Sequence, residues 1–298
     1  MLTTLGCDPE VFLQKDGVLL PAFECLPRKG ESPFFWDGFQ AEFATQPKNF
    51  IADLEVEVKD GLQALLTAAR TKRVGANFLP QDVVEVDDAY FDTLPIEYVQ
   101  LGCDPSLNIY GEQGQIPSDP RLLPYRFAGG HIHFGHPRLL AAADRGRVSA
   151  DIIADLDKIL GIWSVGVAGP YEKLKKRRKY YGLAGEFRIP EHGLEYRSLS
   201  NFWLASPGMF ALTFNLASRV FQSSILSVAK FWLNDFKVTQ NTINNYDVEM
   251  ARKTIKANEK LFGKICGAIG KQAMQACYEG MESIVQKPLD IAGNWGLA

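Results

Sequence analysis

Cysteine is scarce and scattered in this chain. Cys7, Cys25, Cys103, Cys266 and Cys277 are odd in number, widely spaced and include no CxxC pair. That argues against a disulfide framework or a structural zinc site and favours a reducing, cytoplasmic setting. A cationic surplus is missing too: 32 Lys+Arg face 35 Asp+Glu, for a net charge of −3. A general nucleic-acid coat needs such a surplus to neutralise phosphates, so that class falls away. No stretch of 18 or more residues is apolar and uncharged throughout, so no transmembrane helix is expected. The first residues, Met1 to Gly6, offer neither a basic n-region nor an apolar h-region, so no secretory signal is expected. Also missing are a Gly-x-x-x-x-Gly-Lys-Ser/Thr loop, a GxGxxG turn, a Gly-x-Ser-x-Gly elbow and an HExxH helix. The commonest routes to ATP, NAD, acyl groups and zinc are thereby closed.

What remains is an ordinary globular composition, 46% hydrophobic and 22% charged, which excludes a disordered chain. The pattern predicts strands with one helix between them, then a mostly helical second half. Val11–Leu13 and Val18–Leu20 flank an Asp-Gly turn and read as a hairpin. Phe34 to Phe43 reads as strand broken at Asp37-Gly38, Asn49 to Arg70 as helix, and Tyr98 to Tyr110 and Tyr125 to Phe134 as strands. Helices are expected over 149–162 and 170–180, from Ser206-Pro207 to about Asn234, and over 246–262 and 271–285. With no linker-like shift, one α+β domain over 1–298 is expected, helical from about 206.

Five motifs carry chemistry. Asp8 and Glu10 are two apart, so on a strand both carboxylates face one way, either as a cation site or as a turn with a solvated Glu. Glu42 lies between Ala41 and Phe43 and faces either solvent or a polar site. In Gly129-Gly130-His131-Ile132-His133-Phe134-Gly135, two of the four histidines share a face behind a glycine pair that allows close approach. Glu186-Phe187-Arg188 and Glu195-Tyr196-Arg197 each place a carboxylate and a guanidinium side by side. Such a pair either bonds internally or holds Mg²⁺ and a phosphoryl group. Lys173 to Lys179 holds six cations: a solvated helix face, a phosphate clamp or a nucleic-acid patch.

In this order, Gly-Cys-Asp-Pro-Glu, Asp-Gly with Glu42, Gly-Gly-His-Ile-His-Phe-Gly and Glu-Tyr-Arg-Ser-Leu-Ser-Asn-Phe-Trp resemble the phage-type carboxylate–amine ligases (COOH-NH2 ligase, type 2). That family lies in the glutamine synthetase and glutamate–cysteine ligase superfamily. The resemblance covers roughly the first two-thirds of the chain, through Trp203. It implies a curved antiparallel sheet packed by helices, a glutamine synthetase/guanido kinase-like catalytic domain. ATP and a divalent metal, Mg²⁺ or Mn²⁺, would sit on the sheet's concave face. It implies an ADP-forming ligase that activates a carboxylate as an acyl phosphate for attack by an amine. By the same resemblance Asp8, Glu10, Glu42, His131 and Glu195 are metal ligands. His131, His133, Arg178 and Arg197 are nucleotide contacts, and Arg197 and Glu42 are catalytic. Small-molecule or peptide carboxylates and amines are the implied partners, in a host's cytoplasm if the chain is phage-encoded. A homo-oligomer is compatible with this. Two alternatives stay open: a phosphotransferase of the same fold, and a nucleic-acid-binding protein using residues 173–179.

Overall fold

The computed structural model describes residues 3–100, 106–169, 172, 177–227 and 235–298. Eleven strands are found among them: β1 (Thr4–Lys15), β2 (Val18–Leu20), β3 (Phe34–Asp37), β4 (Gln40–Phe43), β5 (Asn77–Leu79), β6 (Val83–Glu85), β7 (Leu107–Asn108), β8 (Tyr125–Phe127), β9 (Gly130–Gly135), β10 (Glu186–Arg188) and β11 (Leu194–Tyr196). Nine form one sheet in the order β3-β4-β1-β9-β11-β10-β7, with β2 and β5 also pairing β1; β6 and β8 form a separate ribbon. All the strand pairs are antiparallel. The architecture is thus a mixed one: a largely antiparallel sheet with helices.

β1 is the hub because it is long. Thr4–Pro9 pair β9, Glu10 and Val11 pair β4, and Phe12–Lys15 pair β5 and β2. The expected hairpin forms, and the strand expected to break at Asp37-Gly38 proves to be a second one. Asp16 and Gly17 take positive φ between β1 and β2, and Gly38 does so between β3 and β4.

The register divides the central strands into two faces, because side chains alternate. Cys7, Val11, Ala41, Ile132, Phe134, Phe187, Leu194 and Tyr196 all fall on one face, and all are buried. They join a core cluster that runs from Leu5 to Trp295. The helix Ile51–Lys72 contributes Leu54, Val58, Leu62, Leu65, Leu66 and Ala69 to it, a stripe at helical period. A Cβ at Gly61 would collide with the Phe43 ring, so glycine lets this helix close on β4. The helix Pro207–Ile225, capped by the Ser206 hydroxyl, adds Phe221, whose ring stacks on Phe134 at 4.7 Å.

Several expectations need correcting. Tyr125 to Phe134 is two strands in different sheets, broken at Ala128-Gly129, where the chain crosses from ribbon to main sheet. Among the described residues of Tyr98 to Tyr110, Tyr98 and Val99 end a short helix begun at Ile96 and only Leu107–Asn108 is strand. The repeated Gly-Cys-Asp-Pro at 102–105 lies outside the described residues. The expected helix over 149–162 starts at Arg145 and runs on to Val167, through a π turn at Asp157–Gly161. That turn buries Asp157, whose Oδ1 accepts the Tyr196 hydroxyl at 2.7 Å. The expected helix over 246–262 breaks at Asn258 into Val248–Ala257 and Glu259–Cys266. The helix Phe236–Asn244 has no counterpart in the expected pattern. No described helix is long and apolar enough to cross a membrane.

Candidate active site

The other sheet face carries the polar residues. Asp8 sits opposite His131, Glu10 opposite Glu42, Glu195 opposite His133, and Arg188 opposite Glu195. Side chains directly opposite each other point the same way. Residues from five strands, β1, β4, β9, β10 and β11, therefore converge on one surface. The spacing of two within each motif is what makes this possible, since a shift of one residue would send the set into the core.

Asp8, His131 and Glu195 form the tightest group, each offering one ligand atom within 4.8 Å of the others. His131 Nδ1 lies 3.5 Å from Asp8 Oδ1, 3.5 Å from Glu195 Oε1 and 3.9 Å from Glu10 Oε1. Asp8 Oδ1 is also 3.1 Å from His133 Nε2. Even so, Asp8 Oδ1 and His131 Nδ1 are buried without a hydrogen-bond partner among the described residues. A buried polar atom left unpaired costs roughly 1–3 kcal/mol, so two of them facing each other call for a ligand. Two carboxylates and an imidazole fit a divalent cation that takes both oxygen and nitrogen donors, with Mn²⁺ suiting the imidazole better than Mg²⁺.

The neighbouring charges point the same way. Burial alone would raise the Asp8 carboxyl, but the imidazoles of His131 and His133 hold it well below the usual carboxylate range. Glu42 is pushed well up, by burial first and then by Glu10, Asp8 and Asp37. Burial, with Glu10 adding to it, lifts Asp37 to about 6. Glu10, Glu42 and Asp37 are thus mutually repelling carboxylates that a cation would relieve. Glu10 keeps one fixed contact, accepting the Gly129 N–H at 2.6 Å on Oε2.

The glycine pair serves the protein as much as any ligand. A Cβ at Gly129 would strike the His131 ring, and one at Gly130 would strike the Ser200 carbonyl and the Trp203 indole.

Tyr181 is the residue that sequence reasoning missed. Its hydroxyl lies 2.7 Å from His131 Nε2 and accepts from Arg197 Nη2 at 3.0 Å. It links the histidine to the arginine and engages the imidazole nitrogen remote from the carboxylates. No spacing rule flags it, because it arrives from a loop. His192 was also missed. It lies 3.2 Å from His133 Nδ1, Nε2 to Nδ1, so three of the four histidines gather here. That clustering was visible only as a count.

The remaining candidates divide. Arg197 is buried and bonds Glu195 through Nη1, as the two-apart spacing allows. Arg188 of the first copy joins the site, 3.9 Å from Glu195 Oε2, while Glu186 accepts the Gly182 N–H at 3.0 Å. Arg178 does not join the others. It is 1% exposed, donates to the Gly182 and Ser198 carbonyls, and spends Nη2 on Glu172 at 3.1 Å. Arg177 likewise donates to the Ser198 and Leu199 carbonyls. The expected phosphate contact at Arg178 is therefore corrected to a backbone brace under the turn after β11. Residues 173–176 lie outside the described residues, and of 177–179 only Lys179 is exposed. A continuous cationic face for nucleic acid is not what these arginines form.

Comparison with known proteins gives a family and a likeness of fold. The family described as phage phiEco32-like COOH.NH2 ligase-type 2 matches residues 121–282, more than half of the chain. The chain belongs to that family. The matched segment includes His131, His133, Tyr181, Glu195 and Arg197, while Asp8, Glu10 and Glu42 lie before it and are brought to it by the sheet. Among solved structures, a bifunctional glutathione synthetase from Pasteurella multocida is similar at 9% identity, with a TM-score of 0.55, over 99% of this chain and 48% of that one. The likeness is one of fold, and the chain spans about half the length of that protein. No curated protein sequence matches.

Proposed function

We propose that the protein is an ATP-dependent ligase that forms an amide or isopeptide bond between a carboxylate and an amine, releasing ADP. One observation carries the reading beyond the family's chemistry. Asp8 Oδ1 and His131 Nδ1 face each other unpaired, beside Glu195, to which Arg197 is bonded. ATP and a carboxylate are both anions, and a divalent cation between them, Mg²⁺ or Mn²⁺, would offset their repulsion. Asp8, His131 and Glu195 would hold it, with Glu10 and Glu42 beside them. Arg197 would neutralise charge gathering on the transferred phosphoryl group as the acyl phosphate forms. Tyr181 would keep both His131 and Arg197 in place. The amine must shed a proton when it attacks, and an ionised carboxylate of this face would take it. The curved, glutamine synthetase-like form of the sheet, one catalytic domain over 1–298 and action in the cytoplasm belong to the same proposal.

Product analysis tests it. Purified protein with a panel of amines and carboxylates should release ADP and phosphate only when both are present, with Glu42→Gln as the control. Release of AMP instead would mean adenylation and would sink the acyl-phosphate route.

A further inference from the structure

The two halves of the main sheet are held differently. β1 has 12 residues and β9 has 6, whereas β10 and β11 have 3 each and β7 has 2. So short a ladder fixes a strand weakly. Yet β11 carries Glu195, Arg197 follows directly, and β10 carries Arg188.

Tyr196 stands between Glu195 and Arg197 and by alternation points to the opposite face, into the core. Its hydroxyl donates to Asp157 Oδ1 at 2.7 Å, and both residues are fully buried. Asp157 opens the π turn Asp157–Gly161, an irregularity that helices seldom carry without a reason. The same turn makes room for the phenol. A Cβ at Gly161 would come within 2.8 Å of the Tyr196 hydroxyl and 3.3 Å of Asp157 Oδ1. Around this carboxyl also stand the Tyr110 hydroxyl, from the loop after β7, and the Gly185 N–H, just before β10. One side chain of the helical layer thus meets the chain at all three short strands. A buried carboxyl is a costly way to fill a core, and what it supplies beyond packing is directional bonding.

We infer that Asp157 is a positioning residue of the cation site. Through the Tyr196 hydroxyl it fixes β11 against the helical layer, and so fixes where Glu195 and Arg197 stand relative to Asp8 and His131. The inference rests on the cation site of the proposed ligase reading. Metal–ligand distances tolerate only about 0.2 Å, so a small slide of β11 would be felt at the ion.

Mn²⁺ binding to the whole chain, followed by electron paramagnetic resonance with urea unfolding alongside, tests it. Tyr196→Phe deletes only the hydroxyl, and Asp157→Leu deletes the acceptor from the other side; each should weaken Mn²⁺ binding about tenfold. The double variant should be no weaker than either single one, because both remove the same bond. Asp157→Asn keeps an acceptor oxygen and should bind within about twofold of the parent. Phe221→Leu thins the same core beside Phe134 and should cost stability while leaving Mn²⁺ affinity unchanged. Tyr196→Phe against Asp157→Asn decides the matter even if Asp157→Leu does not fold. Parent-like affinity in Tyr196→Phe, additive losses in the double variant, Asp157→Asn as weak as Tyr196→Phe, or an equal loss in Phe221→Leu would each overturn the positioning role and leave the ligase reading intact. A parent protein that binds no Mn²⁺ would instead overturn the cation site on which both rest.

Discussion

Two buried charged clusters lie close together in this protein, and they differ in what is left over. In the first, around Arg178, the terminal guanidinium nitrogens are spent on Glu172 and on the Gly182 and Ser198 carbonyls, and the idle atoms, the Nε of Arg177 and Arg178 among them, make no group of facing ligand atoms among the described residues. In the second, Asp8 Oδ1 and His131 Nδ1 face each other without a hydrogen bond, beside a third carboxylate. Burial and charge alone do not separate a brace from a reactive site. Idle ligand atoms that face one another do, because a stable fold leaves such a buried group together only at a cost.

The comparison is breakable, beginning with the largest effect. Arg178→Ala should strand Glu172 as an unpaired buried carboxylate and cost roughly 3–5 kcal/mol of stability, read from urea unfolding. A loss under about 1 kcal/mol would mean that the cluster is not a brace. Arg197→Lys, which keeps charge but loses the planar fork, should lower turnover about 10²–10³-fold with a much smaller change in unfolding. Equal damage to folding and turnover would erase the distinction between the clusters.

Asp157 sharpens the structural side. Burial raises its carboxyl from 3.8 to about 7, with the Tyr196 and Tyr110 hydroxyls opposing the rise. The folded state thus holds this proton more tightly than the unfolded chain. The contribution of this group to stability should be greatest below about pH 4, fall as pH rises toward about 7, and then level off. This one group would contribute about 2–4 kcal/mol of that fall. Asp157→Asn should flatten the slope in unfolding measured from pH 4.5 to 7.5. An unchanged slope would remove Asp157 as its source. Tyr181→Phe should have the smallest effect, weakening Mn²⁺ binding about tenfold, since the hydroxyl orients His131 and Arg197 without being one of the ligand atoms. Mn²⁺ affinity equal to the parent's would show that the histidine needs no such partner.

How far these clusters were legible in the sequence follows from their chemistry. Asp8 and Glu10, His131 and His133, and Glu195 and Arg197 were each found by a spacing of two, which fixes a shared face on any strand. Arg178 was misplaced because a run of cations reads as a solvated face or a phosphate clamp, and nothing local announces the carbonyls that Ser198 and Gly182 would bring to it. Tyr181 and His192 come from loops, where no period exists to read. The break at Ala128-Gly129 was hidden because Tyr125 to Phe134 favours strand throughout, and which sheet each half joins depends on distant partners.

The sequence by itself determined which side chains within each strand point together, because alternation is a property of the extended backbone. It also determined the hairpin turns, through residues that tolerate positive φ, and the apolar stripe of the helix Ile51–Lys72. Only the tertiary structure decided which strands stand side by side. The order β4-β1-β9-β11-β10 brings residues as far apart as Asp8 and Glu195 within reach of one ion. It does so because β1 is long enough to pair β4 and β9 at once, and antiparallel register then carries the polar face across the sheet.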